Sequence, residues 1–408
     1  MALYDITQLG SAVEFDITDY KGGSLGRLST TTLVFAWQQT GASGVKGRTF
    51  NFNRSTGAIT VRGDQVDLYP NQIAGNIVIR FVDSTHFVAG WVDFSGNISM
   101  CMYAVDASTG AISAVGSVRT ISTSGQTLYS VELLVLTSTR MLVGWSGVAG
   151  DGFTQVWGIS TSTGVDASGQ GSAYEFDTNR ASRISFSQIS STKVLVAYAG
   201  NSDNGYARVL DINTTTWAVT IAESGGSPFL FSNVGSNMSV TSIIMDTSAS
   251  PVIATVAHCV TNFSNSTKWY ISRLSINTTT WAITTLNSTT PEEISSEASY
   301  VNLNGTMNNL LWVDSTHFLI FFNGSGQDGF ARSYLINLST GALTQISEVE
   351  FDTGDGKFNT SLDMGDYLYL NAWQGASADG FIQGFTLANQ VTFNPVMMHH
   401  MQIVGGLM

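Results

Sequence analysis

Basic residues are scarce in this sequence. Only 17 of its 408 residues are Lys or Arg, against 30 Asp or Glu, a formal net charge of −13. Nucleic-acid backbones need clustered Lys and Arg, so a nucleic-acid partner is not expected. Charge of either sign is thin, at 12% of residues, where an ordinary soluble domain carries roughly 25%. The two cysteines, Cys101 and Cys259, are too few and too distant for a disulfide framework, and read as small buried hydrophobes. Proline and histidine number 5 each. No apolar run reaches the roughly 18 residues that span a bilayer, so membrane insertion is not expected. Met1 is followed by Ala-Leu-Tyr-Asp, without a basic or apolar leader, so no signal peptide is expected.

What the chain has in abundance is glycine, 41 residues, and a hydrophobic content of 43%, enough to build a core. It also has a repeat. A polar turn precedes four or five apolar residues that end in an aromatic: Ser-Thr-Thr-Thr-Leu-Val-Phe-Ala-Trp at Trp37, Asp-Ser-Thr-His-Phe-Val-Ala-Gly-Trp at Trp91, Thr-Ser-Thr-Arg-Met-Leu-Val-Gly-Trp at Trp145. Weaker copies end at Tyr198, near Val256, at Phe322 and at Trp373. A second marker follows each, as Ser-Thr-Gly-Ala-Ile-Thr at 55–60 or Thr-Thr-Trp-Ala-Val-Thr at 215–220. Val, Ile, Thr and aromatics fill the runs, while Gly, Asn, Asp and Ser fill the gaps, as strands and hairpins require.

Seven units of four short strands at this period predict an all-β fold, a seven-bladed β-propeller with four antiparallel strands per blade. The units run 18–70, 71–123, 124–177, 178–231, 232–295 and 296–353, with three inner strands of the seventh in 354–390. Val13-Glu14-Phe15-Asp16 resembles Val349-Glu350-Phe351-Asp352, the outer strand of the sixth unit, and Tyr174-Glu175-Phe176-Asp177 is a third copy. Residues 1–17 are therefore expected to supply the missing outer strand of the seventh blade and close the ring, leaving no open edge there. An uncharged tail follows at 391–408, with Phe393, Pro395 and four methionines. It is expected either to pair with blade 7 or to dock on another subunit.

Chemistry-bearing motifs are few. Alternation places Trp37, Trp91, Trp145 and Trp373 between blades as core. Trp217 and Trp281 replace the glycine of a hairpin turn, which marks them as candidate exposed aromatics. His86 and His317 share one repeat position, and His399-His400 stand alone in the tail, so no metal and no cofactor are expected. His-Glu-x-x-His, Gly-x-Ser-x-Gly and a phosphate-binding glycine loop are all missing. A glycosidase needs a pair of carboxylates flanking the bond, whereas the acids here recur at equivalent repeat positions. On these grounds a non-enzymatic protein is expected.

The strand that opens Asp151-Gly152-Phe153, Asn204-Gly205-Tyr206, Asp328-Gly329-Phe330 or Asp379-Gly380-Phe381 follows a Ser-Ser-Thr-Lys-Val-Leu-Val-Ala-Tyr type of strand. In this style of repeat the chain resembles tail-fibre and adhesin-like proteins of bacteriophages, marine ones in particular. The resemblance implies a virion-associated protein, with other virion structural proteins and a host-surface glycan or receptor as partners. A soluble multivalent lectin and a decoration protein docking on a capsid or tail are the alternatives. The variable connections 38–47, 147–152, 199–205, 258–267, 323–329 and 374–380, with the insertion 286–309, are expected to share one face of the ring. Binding residues concentrate on such loops. The candidates there are Asp151, Asp203, Asn204, Asp328 and Asp379 beside Phe153, Tyr206, Phe330 and Phe381.

Overall fold

A computed structural model describes residues 4–16, 20–39, 44–75, 77–123, 130–223, 226–234, 238–261, 267–286, 291–295, 309–324, 327–337 and 340–388. The strands form seven separate antiparallel sheets, each with four positions from the axis outward. In blade 3 these are Val131–Thr137, Arg140–Ser146, Gly152–Ser160 and Gly164–Asp177, each paired with the next. The N-terminal strand Ile6–Asp16 pairs antiparallel with Gly380–Leu387, from Ile6 opposite Leu387 to Asp16 opposite Gly380. It is the outer strand of blade 7, and the ring is closed by it. Among the described residues there is no α-helix, only short 3-10 turns such as Asn201–Asp203 and Ala376–Ala378.

The outer strands come in two kinds. Four run through with a bulge, at Ile6–Asp16, Ile112–Ser122, Gly164–Asp177 and Leu343–Asp352. In blades 1, 4 and 5 the outer strand is interrupted, and both halves pair with the same third strand. The halves are Ile59–Val61 and Val66–Tyr69, Val219–Ile221 and Phe229–Ser232, and Ile283–Thr285 and Glu292–Ser295.

Period-two alternation explains why the second strands read as unbroken apolar runs. Leu33, Phe35 and Trp37 face blade 7, while Val34 and Ala36 face blade 2. Every blade is thus buried on both sides, and the apolar residues gather into seven clusters, one per seam. Trp37, Trp91 and Trp373 are among the largest fully buried side chains. Cys101 and Cys259 are free and buried.

The anchor position of blade 5 corrects the sequence reading, which put it near Val256. His258 pairs with Tyr270 as Tyr198 pairs with Tyr206. It stacks on that ring at 5.6 Å and meets Phe231 edge-on, as Tyr198 meets Phe176. A flat ring is what the position requires, and imidazole supplies one without being an apolar aromatic.

Because strands alternate in direction, loops joining second to third strands and loops joining successive blades lie on one face of the ring. Hairpins joining first to second and third to fourth strands lie on the other. The hairpins are short and built on side-chain turns: Asp83 Oδ1 accepts from the backbone N–H of Thr85 and His86, and Asn213 Oδ1 from those of Thr215 and Thr216. The turn residue after the latter motif lies in the left-handed region, as Gly57, Gly110 and Gly341 do. Trp217 and Trp281 adopt it too, each with φ 60.

Candidate functional site

Four loops of the first-named face share a five-residue frame, Gly-x-x-x-Asx. The glycine N–H donates to the carbonyl of the Asx residue: Gly147 to Asp151 at 2.6 Å, Gly200 to Asn204 at 2.8 Å, Gly324 to Asp328 at 2.8 Å, Gly375 to Asp379 at 2.9 Å. The next glycine, at 152, 205, 329 and 380, opens the third strand. None of these four has the positive φ of a tight-turn glycine. Their reason is a ring: a Cβ there would come within 2.3–2.7 Å of Phe176, Phe231, Phe351 or Phe15 in the outer strand. The first glycines are held to their type in the same way, by Phe153, Tyr206, Phe330 and Phe381.

Those four aromatics stack on the anchor rings of their own blades, with centroids 5.9–6.1 Å apart. They remain only partly buried. Cross-strand from three of them stand exposed acids, Glu175 opposite Phe153, Glu350 opposite Phe330 and Glu14 opposite Phe381.

The acids of these loops divide into two groups. Asp203, one position before the Asx residue Asn204 of its loop, is tied to Arg180 of the preceding inter-blade loop at 2.7 Å, so its carboxylate braces the face. Asp151, Asp328 and Asp379 are half-buried, and among the described residues their carboxylates have no hydrogen-bond or ion-pair partner. Trp217 and Trp281 lie on the opposite face. They cover cations of the preceding blade, Arg140 at 5.0 Å and Lys193 at 5.1 Å from the ring centres. His86 and His317 are there too, each with Nδ1 against the Asp of its own turn. The tail 391–408 with His399 and His400, most of the insertion 286–309 and the centre of 258–267 lie outside the described residues.

The loop face also carries residues that sequence reasoning missed. Phe94 is 70% exposed, and Val148 on the neighbouring blade is 58% exposed. Asp93 holds the Phe94 loop, its Oδ1 accepting from the N–H of Ser95 and Asn97 at 2.9 Å. The signal was faint because the second repeat has no Asx-Gly-aromatic sequence at this place.

A second feature lies just inside this face, around the axis. The inner-strand residue opposite the position before each anchor is Ser24, Val78, Glu132, Ser185, Ser242 or Thr360, with Asn309 beside the same position in blade 6. All are buried, and six line an axial cavity of ≈ 50 Å³, room for a few waters. Arg80 reaches across to the Glu132 carboxylate, and its Nε and Nη1 donate to the carbonyls of Leu133 and Ile79 at 3.0 and 2.9 Å. Glu132 is 2% exposed. Burying such a pair is costly unless its remaining hydrogen bonds are met, and here one N–H on each of the three guanidinium nitrogens is engaged. No group of three or more metal-ligating side chains occurs among the described residues.

No family model matches the sequence, and no curated protein does. Solved structures do. A protein from Bacteroides fragilis assigned as a 6-phosphogluconolactonase is 12% identical, with 84% of this chain and 88% of that one covered and a TM-score of 0.54. The polysaccharide lyase Uly1 is 7% identical over 93% of this chain and 100% of that one, with a TM-score of 0.53. An ulvan lyase bound to a glucuronic acid–sulfated rhamnose unit is 10% identical over 95% and 96%, with a TM-score of 0.51. At such identities the likeness is one of fold. It is enough to correct one expectation: this ring also serves a lactonase assignment and polysaccharide lyases, so the exclusion of an enzyme does not stand. Linear motifs were the wrong test, since groups meeting at the axis of a propeller come from different blades and have no fixed spacing.

Proposed function

We propose that the protein recognises glycans through its loop face, as part of a virion tail or appendage that contacts a host surface. The carrying observation is the recurrence, in blades 3, 6 and 7, of a carboxylate with no partner among the described residues, two positions from a partly exposed ring: Asp151 with Phe153, Asp328 with Phe330, Asp379 with Phe381. Carboxylates accept hydrogen bonds from sugar hydroxyls, and aromatic rings take the apolar face of a pyranose. Phe94 adds a platform that its own loop does not need for packing. The test is glycan-array binding by the wild type and by the combined Asp151→Asn, Asp328→Asn and Asp379→Asn variant. The reading expects binding in the first and at least a tenfold loss in the second. Undiminished binding in the triple variant refutes the face.

A second reading is favoured by the Arg80–Glu132 pair: a polysaccharide-cleaving site at the mouth of the axial cavity. There Arg80 would hold an acidic sugar and Glu132 would serve as the acid–base group. Incubation with uronate-containing polysaccharides, followed by assay for new reducing ends, tests it. Turnover that Glu132→Gln abolishes supports this reading, and absence of turnover ends it.

A further inference from the structure

We propose that the rim pocket between blades 4 and 5, bounded by Glu223, Pro228, Phe229, Leu230 and Ile283, binds a neutral saccharide residue carrying a methyl group, of the 6-deoxyhexose class. It takes its class of ligand from the glycan reading and places it on a different surface.

The pocket exists because the outer strand of blade 4 is interrupted between Ile221 and Phe229. Glu223 stands in for the missing strand. Its Oε2 accepts from the N–H of Val209 at 3.0 Å, and its Oε1 lies 3.3 Å from Arg208 Nε. The chain returns through Pro228 and Phe229 and turns Leu230 outward, 42% exposed. Blade 5 supplies the facing wall, Ala282 and Ile283, and the cavity measures ≈ 440 Å³. Blade 1 has the same break, with Arg62 donating to Thr49 as Ala222 donates to Val209, but Gly63 where blade 4 has Glu223. The acid is therefore not a requirement of the interruption.

Selection follows from the lining. Arg208 already compensates Glu223, so the pocket offers little to a charged ligand. A hydrocarbon would strip water from the carboxylate and return no hydrogen bond. A fully hydroxylated hexose would press unpaired hydroxyls against Phe229 and Ile283. A sugar with one methyl corner and adjacent hydroxyls satisfies both walls, hydroxyls donating to Glu223 and the methyl lying on Phe229 and Leu230.

The experiment is saturation-transfer NMR with the methyl glycosides of fucose and rhamnose, in both enantiomers, and of the matching galactose and mannose. Saturation at the C6 methyl is expected, with at least fivefold weaker signal from the 6-hydroxy sugars. Leu230→Asp, at an exposed position that leaves the fold intact, should remove it, and Glu223→Gln should weaken it. The Asp151→Asn, Asp328→Asn and Asp379→Asn variant should keep it, which separates this pocket from the loop face. No methyl saturation, equal signal from the 6-hydroxy sugars, or a signal indifferent to Leu230→Asp overturns the proposal.

Discussion

The indole N–H of Trp373 donates to the Asp352 carboxylate at 2.7 Å, across the seam between blades 6 and 7. The same bond joins Tyr198 to Asp177 at 2.6 Å and Trp37 to Asp16, always with the acid 21 positions earlier. Each acid ends an outer strand, and each ring anchors the second strand of the following blade. The seams are apolar, so these bonds fix the angle and register at which neighbouring sheets meet.

Replacing Tyr198 by Phe keeps the ring and deletes the donor. Asp177, 7% exposed, then loses a partner, and a cost of about 1–3 kcal/mol is expected. Urea denaturation measures it. An unchanged midpoint would mean that the bond adds nothing to the seam.

Blade 5 departs from this arrangement, as do blade 2, where the Trp91 indole N–H has no partner among the described residues, and blade 6, whose anchor Phe322 carries no donor. In blade 5, Ser232 stands at the acid's place and His258 at the ring's; among the described residues Ser232 Oγ has no hydrogen-bond partner and the imidazole has none beyond the backbone at Val256. Burial pushes the His258 pKa down to about 3. In the unfolded chain a histidine titrates near 6.5. As pH falls between these values, the unfolded state takes up a proton that the native state refuses. Stability is therefore full above about 6.5 and declines by up to about 1.4 kcal/mol per pH unit below it. His258→Phe should flatten the decline between pH 7 and pH 5, where most carboxylates stay ionised. Parallel slopes for variant and wild type would sink the assignment.

Gly329→Ala would place a Cβ 2.3 Å from the Phe351 ring. Overpacking of this kind costs about 1–3 kcal/mol, and a second change, Phe351→Leu, should recover part of it. Thermal melts of the single and double variants decide the matter. A stable single variant would show that the glycine has another reason.

Removing residues 1–16 strips the strand paired with Gly380–Leu387 and exposes that edge. Loss of the cooperative melt and aggregation are expected. A truncated protein that stays monodisperse with an unaltered melting temperature would contradict the closure.

Much of this was legible in the residues. Trp37, Trp91 and Trp145 announced the period because a fully buried ring tolerates little change. The Glu-Phe-Asp copies at 14–16, 175–177 and 350–352 revealed how the ring closes. Their bond to the anchors was not legible, because donor and acceptor lie in different blades and only the folded seam joins them. His258 escaped because the position selects a flat ring rather than an apolar residue. The interrupted outer strands of blades 1, 4 and 5 escaped because each half still looks like strand. At the loop face, Asp203 stands one position before the place that Asp151 fills, and its engagement with Arg180 is visible only in the fold. The axial ring was hidden in single polar residues spread over six of the seven units, with Val78 in the remaining one.

The pairing of Ile6 with Leu387 brings two distant stretches of chain to one place. Tyr4 N–H donates to Ala388 O at 2.7 Å and Ala388 N–H to Asp5 O at 2.9 Å, on the hairpin side of blade 7. Residues 4 and 388 therefore sit together on the side of the ring opposite to Asp151, Asp328 and Asp379. A molecule tethered there presents its loops outward whichever end carries the tether, so the ring has a front and a back before any partner binds.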